Sequence, residues 1–148
     1  MKNIFLITGS RADYGVMKIL IKRFNKKRGF KLVLTGSHLL SAYGNTIKEI
    51  RNDGVKIDYK IKIKNSSDSE HQISKATGEG IKKFAFLFNQ KRPDIIIVLG
   101  DRYEILSAVI AAYFSKIPVA HIGGGDTTLG VIDEGIRHSI SKMSWLHF

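Results

Sequence analysis

The sequence predicts a single α/β domain with a parallel, doubly wound sheet of the Rossmann-like kind. Short apolar segments alternate with longer amphipathic segments along the 148 residues, which is the order of strand and helix in β–α–β units. The clearest apolar segment, residues 94–99 (DIIIVL), is hydrophobic after its first residue, as in strands that helices cover on both faces. A chain of this length suffices for one packed domain and is too short for two.

Five strands and the beginning of a sixth are predicted from the apolar segments. They cover residues 3–8, 30–35, 55–63, 94–99, 117–122 and 145–148. The third segment (VKIDYKIKI) alternates strictly between apolar and polar residues, which predicts a strand with one solvated face near an edge of the sheet. Because the chain ends within the sixth segment, we expect these residues to be the first domain of a longer protein.

Helices are predicted between the strands, where apolar residues recur every three to four positions. They cover residues 14–27, 46–52, 70–90, 102–115 and 132–143. In the first helix, the apolar residues predicted to share one buried face are Val16, Ile19, Leu20 and Phe24. Gly78 and Gly80 weaken the middle of the third helix, since each glycine costs about 1 kcal/mol relative to alanine.

The net charge of +11 is concentrated in residues 1–92, which hold 20 Lys and Arg against 7 Asp and Glu. The lysines are spread over several predicted elements with few aromatic side chains between them, so we do not expect nucleic acid as a partner. Solvated helix faces and protected sheet edges explain many of them. An anionic small ligand, such as a nucleotide, is the better reason for a positive field.

The chain has no cysteine, which excludes a disulfide scaffold, a thiol nucleophile and a cysteine-ligated zinc site. Its N-terminal apolar run is too short for a signal peptide, and no run approaches the roughly 20 residues that span a bilayer. We therefore expect a cytoplasmic protein with no membrane partner. The sequence has no metal-ligand spacing of the HExxH kind, and we expect neither a metal nor a cofactor.

Four loops that follow predicted strands carry unusual polar residues, and ligands of doubly wound sheets bind where such loops converge. In the first loop, Gly9 allows a close backbone approach, and the next helix presents its N-terminus to a ligand. Arg11 offers paired donors to a diphosphate. The loop matches neither GxGxxG nor Walker A. A plain strand–helix turn, with a surface arginine and a capping Asp13, remains the alternative.

Three carboxylates near the strand ends are candidates for acid and base. Asp101 directly follows a buried strand, where burial favours proton transfer, although capping of the next helix would also explain it. Asp126 and Glu134 are predicted on the same side of the sheet. The glycines at 123–125 indicate a close approach between backbone and ligand, or else a flexible turn. Helix capping alone would explain one of the two carboxylates Asp133 and Glu134.

The histidines differ in their predicted surroundings. His38 lies in a loop and is the better site candidate, whereas His138 lies on a helix face, where a surface role is favoured. His121 follows apolar strand residues, so its position fits a hydrogen-bonded core histidine as well as a site residue.

Four segments together resemble a known family. They are TGSRADYG (8–15), TGSHLLSAYGNTIKEIRNDG (35–54), LGDRYE (99–104) and PVAHIGGGDTTLGVIDEGIRHSISKMSWLHF (118–148). They are similar to the N-terminal domain of the hydrolysing UDP-N-acetylglucosamine 2-epimerases of sialic acid synthesis. The resemblance implies a two-domain fold of the GT-B type, in which residues 1–148 form the N-terminal domain. It implies that most nucleotide contacts belong to an absent second domain, and that the full-length protein is a homodimer.

The resemblance implies a reaction and roles for several residues. Family members convert UDP-N-acetylglucosamine to N-acetylmannosamine and UDP by elimination across C1–C2 and hydration of the glycal. Carried over by position, Asp101 and Glu134 are acid/base carboxylates, and Asp126 stands where relatives usually have glutamate. Arg11 lies beside the diphosphate.

Some further residues match the family, and one departs from it. His38 and His138 match family histidines and would orient sugar or water, and Gly125 belongs to the glycine loop expected to approach the substrate. Gly123 departs from the family, because relatives often have an acidic residue or histidine there. This departure leaves room for another substrate, either GDP-linked N-acetylglucosamine or a UDP-linked diacetamido sugar of legionaminic acid synthesis.

Two other functions remain open. A non-hydrolysing 2-epimerase would return the UDP-linked sugar, and the SRADYG and GDTTLGVIDEGIRHSISKMS segments resemble the hydrolysing branch more closely. If the 148 residues are taken as the whole protein, their small number favours a non-catalytic nucleotide-sugar-binding domain. We expect the 148 residues alone to lack turnover.

Overall fold

The computed structural model describes residues 2–40, 46–125 and 132–148. Six parallel strands lie in this part of the chain: β1 (Ile4–Thr8), β2 (Phe30–Leu34), β3 (Tyr59–Lys60), β4 (Ile95–Leu99), β5 (Val119–Ile122) and β6 (Leu146–His147). They form one sheet in the order β3-β2-β1-β4-β5-β6. The predicted parallel α/β architecture is therefore confirmed.

Helices connect the strands in the predicted order. They are α1 (Arg11–Phe24), α2 (Thr46–Asn52), α3 (Glu70–Lys91), α4 (Tyr103–Phe114) and α5 (Ile132–Met143), and a 3₁₀ helix, Gly36–Leu39, follows β2. Within the described ranges, none of these helices has the length and apolar character that a bilayer crossing requires.

Two apolar cores cover the two faces of the sheet. Successive residues of β1 point to opposite faces, so that Phe5 and Ile7 pack with α3, α4 and α5, whereas Leu6 packs with α1 and α2. Each interior strand is thus buried on both sides, which explains its nearly continuous hydrophobic sequence. The sheet is doubly wound, as the sequence predicted.

The third strand is much shorter than the alternating sequence predicted. Instead of nine residues, only Tyr59 and Lys60 pair with β2. The carboxylate of Asp58 accepts a hydrogen bond from the backbone N–H of Leu32 (3.1 Å), so a side chain replaces a ladder bond beside the strand. The alternation of VKIDYKIKI reflects burial of Val55 and Ile63 rather than a long ladder.

The buried face of α1 was predicted wrongly. Val16 and Ile19 are 72% and 83% exposed, and the helix buries Tyr14, Met17 and Ile21 instead. The rotation of the helix is fixed by the Tyr14 hydroxyl, which donates to Asp53 Oδ2 (2.9 Å). Lys18 and Lys22 also pair with Asp53, which holds the same face against the turn after α2.

Helix α3 is continuous through its two glycines, and the reason lies in its packing. A Cβ atom at Gly80 would lie 2.7 Å from Ser107 Oγ and 2.8 Å from Ser107 Cβ on α4. Gly80 therefore allows α3 and α4 to approach closely, whereas a Cβ atom at Gly78 would meet open space.

We expect Gly80→Ala and Gly78→Ala to change stability in opposite directions. Gly80→Ala should lower the free energy of unfolding by about 1–3 kcal/mol, because the added methyl group overpacks the α3–α4 contact. Gly78→Ala should raise it by about 1 kcal/mol through helix propensity alone. Urea denaturation of both variants measures the difference, and equal effects at the two positions would contradict the close contact.

Candidate active site at the carboxyl ends of the strands

The polar loops lie at the carboxyl edge of the sheet, on either side of a topological switch. From β1 the chain continues to β2 on one side, and β4 pairs with β1 on the other side. Connections that diverge in this way leave a crevice beyond the strand ends, where ligands of open α/β sheets bind. The loops after β1, β2, β4 and β5 all begin at this edge.

The first loop is built around Asp13 in the first turn of α1. Ser10 caps the helix, its Oγ accepting from the N–H of Asp13 (3.2 Å), and the Asp13 carboxylate accepts from the N–H of Gly9 (3.2 Å). Burial raises the pKa of Asp13 above its usual range, although these hydrogen bonds oppose the shift. The capping residue is therefore Ser10 and not Asp13, the residue that the alternative interpretation named, and the Asp13 carboxylate folds back onto the loop.

Arg11 faces away from this buried carboxylate. Its side chain is 76% exposed, and its Nε lies 3.0 Å from Glu49 Oε2 on α2. The guanidinium is thus at the rim of the strand ends, on the side of α2.

His38 lies in the 3₁₀ helix after β2 and is almost completely buried. Its Nε2 is 3.0 Å from Thr8 Oγ1, at the end of β1. Its Nδ1 is buried and makes no hydrogen bond within the described ranges. Burial, assisted by the charge of Arg102, lowers the pKa of His38 to about 4, so the ring is neutral at pH 7.

An ion pair between a buried carboxylate and a partly exposed arginine occupies the start of α4. The Glu104 side chain is 2% exposed and accepts from Nε (3.2 Å) and Nη2 (3.3 Å) of Arg102. A Cβ atom at Gly36 would lie 2.9 Å from Glu104 Oε1, so glycine at this position makes room for the pair. No role was predicted for these two charged residues, although both stand in the LGDRYE segment.

Asp101 is held by a side chain from a distant helix. Arg137 of α5 donates from Nε to Asp101 Oδ2 (2.9 Å), and its Nη2 contacts the same oxygen. The N-cap residue of α4 is Arg102, so capping does not explain Asp101. Arg137 was missed because the IRHSIS sequence around it shows only helical periodicity.

Helix α5 carries two more candidates beside Arg137. Glu134 Oε1 lies 3.4 Å from His138 Nε2, one helical turn away. Residues three and four apart share a helix face, so Glu134, Arg137 and His138 are neighbours. The loop before α5 has positive φ at Gly123 and Gly125 (71° and 90°), which suits glycine. The predicted residue Asp126 lies outside the described residues.

His121 is a hydrogen-bonded core histidine, which settles the choice left open by the sequence. It is fully buried, with Nε2 2.9 Å from the Gly100 carbonyl and Nδ1 3.0 Å from Ser141 Oγ. A carbonyl only accepts, so Nε2 carries the proton and Nδ1 accepts from the Ser141 hydroxyl. Burial lowers the pKa of His121, which keeps the ring neutral.

A groove of about 980 Å³ lies elsewhere, along β3 and α3. Tyr59, Phe86 and several lysines line it, and Glu79 is the one acidic residue among the described residues in its wall. It includes no residue of the four strand-end loops. The groove therefore lacks paired acid and base groups, and we place the candidate site at the strand ends.

We expect His38 to make stability depend on pH. The folded pKa of about 4 lies below the unfolded value near 6.5, so the unfolded chain binds the proton first as the pH falls. His38 therefore contributes stability above pH 6.5 that is lost on acidification toward pH 4. Between pH 7 and pH 5 the loss should be about 2 kcal/mol.

Chemical denaturation of the wild type and His38→Gln at both pH values measures this effect. The glutamine variant should lose about 2 kcal/mol less than the wild type over this interval, whatever its absolute stability. Parallel pH curves would show that His38 titrates normally, and a proton NMR titration of its ring checks the pKa directly.

A family model described as UDP-N-acetylglucosamine 2-epimerase matches residues 22–148. A UDP-N,N'-diacetylbacillosamine 2-epimerase (hydrolyzing) of Legionella pneumophila is 39% identical over all of this chain and 40% of its own length. The polysialic acid biosynthesis protein P7 of Escherichia coli is 42% identical over 99% of this chain and 38% of its own. The chain thus spans about 40% of the length of these relatives.

Solved structures share the fold. The UDP-GlcNAc 2-epimerase of Neisseria meningitidis, bound to UDP-GlcNAc, superposes with a TM-score of 0.82 at 24% identity, over 99% of this chain and 40% of that one. MurG of Acinetobacter baumannii superposes with a TM-score of 0.61 at 12% identity, over 98% and 40%. The fold and the family match agree. The chain belongs to the UDP-N-acetylglucosamine 2-epimerase family.

Proposed function

We propose that residues 1–148 form the N-terminal domain, and one wall of the active site, of a hydrolysing 2-epimerase. The enzyme converts UDP-N-acetylglucosamine to N-acetylmannosamine and UDP. The observation that carries this proposal is the ion pair between Asp101, after β4, and Arg137 of α5, the helix on which Glu134 is a neighbour of Arg137. Two carboxylates fixed beside one crevice are what a reaction with two proton transfers needs.

The proposed reaction has two stages. A base removes the C2 proton, the C1–O bond breaks, and its electron pair leaves with UDP, which gives a C1=C2 glycal. Water then adds its hydroxyl at C1, and an acid returns a proton to C2 on the opposite face. Asp101 and Glu134 supply base and acid, with Asp126 as a third carboxylate.

The surroundings of each carboxylate suit its task. Arg137 fixes the direction of the Asp101 carboxylate, and His138 borders Glu134. A proton-transfer group needs a defined position relative to the carbon that it serves, and both contacts restrict rotation of the carboxylates. The C2 proton is weakly acidic, so precise placement is worth more here than in hydrolysis of an activated ester.

The remaining candidates bind substrate. His38 orients sugar or water, and its neutral ring can both donate and accept a hydrogen bond in that role. Gly9 and Gly125 permit the backbone to approach the ligand. Arg11 reaches the diphosphate by exchanging its exposed contact with Glu49, which is worth at most about 1 kcal/mol.

A diacetamido sugar is the second candidate substrate. Its support is that relatives 39% and 37% identical to this chain are named diacetylbacillosamine 2-epimerases (hydrolyzing), the second with GDP or UDP as the nucleotide. Gly123, which lacks a side chain, leaves room near the sugar for an added acetamido group.

We extend the proposal to the full-length protein. A second domain closes the crevice and supplies most nucleotide contacts, so the 148 residues alone lack turnover. The full-length enzyme is a cytoplasmic homodimer that needs no metal or cofactor.

The first experiment incubates the full-length enzyme with UDP-N-acetylglucosamine in D2O and follows it by proton NMR. We expect free UDP and N-acetylmannosamine with deuterium at C2, because the proton that returns comes from solvent. Accumulation of UDP-N-acetylmannosamine would instead identify a non-hydrolysing epimerase. Parallel reactions with the UDP-linked diacetamido sugar and GDP-linked N-acetylglucosamine identify the preferred substrate by kcat/KM.

Substitution of the carboxylates tests their roles. We expect Asp101→Asn and Glu134→Gln each to lower kcat by roughly 10²–10⁴-fold, the usual contribution of a positioned acid or base. The variant that lacks the base should also lose deuterium exchange at C2. Asp133→Asn, an exposed neighbour on the same helix, is the matched control and should keep wild-type rates. Full activity of Asp101→Asn would remove Asp101 from the mechanism.

A further inference from the structure

His121 joins the two segments that form the Asp101–Arg137 pair. Its Nε2–H donates to the carbonyl of Gly100, the residue before Asp101. Its Nδ1 accepts from Ser141, which lies one helical turn after Arg137 on α5. The ring therefore bridges the same two segments, 100–101 and 137–141, that the ion pair bridges.

Two connections between the same segments restrict their relative motion more than one does. The ion pair alone would allow the peptide plane between Gly100 and Asp101 to rotate while the carboxylate kept its partner. The hydrogen bond from His121 fixes the carbonyl of that peptide and thereby the direction in which the Asp101 side chain leaves the backbone. The bond to Ser141 fixes the distance from β5 to α5.

We propose that His121 and Ser141 are positioning residues that hold Asp101 and the face of α5 in their catalytic arrangement. This inference rests on the proposed function for its kinetic consequences. The hydrogen bonds themselves are independent of that function. Neither residue needs to contact substrate, since His121 is fully buried beneath the site.

Gly124 is the third part of this arrangement. A Cβ atom there would lie 2.6 Å from Ser141 Oγ and 2.8 Å from His121 Nδ1. The glycine loop thus lies directly on the His121–Ser141 hydrogen bond, and any side chain at Gly124 would push the two groups apart. Gly123 and Gly125 have positive φ instead, so Gly124 is the glycine that this hydrogen bond requires.

The chemistry of the ring supports a fixed neutral state. Burial, His147 and Arg137 oppose the charged ring and lower its pKa, whereas the hydrogen bond to Gly100 and the charge of Asp101 favour it. In the neutral ring, a proton on Nε2 allows donation to the Gly100 carbonyl and acceptance from the Ser141 hydroxyl. The other neutral tautomer, with its proton on Nδ1, would direct a lone pair at the Gly100 carbonyl and lose that hydrogen bond.

The test is steady-state kinetics of full-length Ser141→Ala, with Ser139→Ala as the matched control. Ser139 lies on the same helix, and its hydroxyl donates to the Gly135 carbonyl, outside the bridge. We expect Ser141→Ala to lower kcat about tenfold with KM changed less than twofold, and Ser139→Ala to match the wild type. A wild-type kcat for Ser141→Ala, or an effect on KM alone, would overturn the proposal.

A double-mutant cycle separates the bridge from general loss of stability. Gly124→Ala should lower kcat as well, because its methyl group displaces Ser141. Combined with Ser141→Ala, its effect on kcat should be smaller than the product of the two, since removal of Oγ relieves the 2.6 Å contact. Independent, multiplicative effects would show that the two positions do not act through one contact.

Nitrogen-15 NMR of the histidine rings distinguishes failure of this inference from failure of the proposed function. The neutral His121 ring should carry its proton on Nε2, with or without turnover of any nucleotide sugar. A neutral ring with its proton on Nδ1 would overturn the bridge even in an active enzyme. A confirmed ring state in an enzyme inactive on every nucleotide sugar would instead count against the function.

Discussion

The ion pair between Asp101 and Arg137 is the contact on which the candidate site depends. It joins the loop after β4 to α5 across 36 residues of sequence, and α5 also carries Glu134 and His138. Both side chains are mostly shielded from solvent, at 23% and 12% exposed, so removal of either partner would leave a poorly solvated charge. Such a pair adds little net stability, but it permits few arrangements of the two segments.

The other arginines at the strand ends are also paired with carboxylates. Arg11 pairs with Glu49 and Arg102 with Glu104, so the cations of this edge are matched by carboxylates. The excess of positive charge lies elsewhere, and the groove along β3 and α3 is lined by Lys60, Lys62, Lys82, Lys83 and Lys91. The prediction of an anionic ligand therefore draws no support from the net charge of +11.

The sequence predicted those features that depend on local pattern. Continuous apolar segments identified the interior strands, and the ends of the strands located the four loops. The prediction of the buried face of α1 was wrong because two sets of residues fit helical periodicity equally well. One set is Val16 with Ile19, and the other is Met17 with Ile21. Only the distant contact with Asp53 decides between them, and no local pattern contains it.

In the candidate site, too, local sequence pattern predicted some residues and missed those that depend on distant contacts. Asp101, Glu134 and His38 were predicted because they stand in loops or near helix starts with recognisable motifs. Arg137, the partner of Asp101, and Ser141, the partner of His121, were not predicted, since they lie 36 and 20 residues from the groups that they contact. A residue that orients another is chosen by geometry rather than by its neighbours in sequence, so such residues become visible only in the fold.

Glycines mark the places where these distant segments meet. At Gly36, a Cβ atom would lie 2.5 Å from the Gly9 carbonyl oxygen and 2.9 Å from Glu104 Oε1, so the loops after β1, β2 and β4 touch there. At Gly124, it would meet His121 and Ser141, where the loop after β5 touches α5. Each glycine costs conformational entropy on folding, and each allows a buried polar group to reach its partner. The strand-end edge thus consists of closely packed polar contacts, which explains why its loops combine glycines with charged residues.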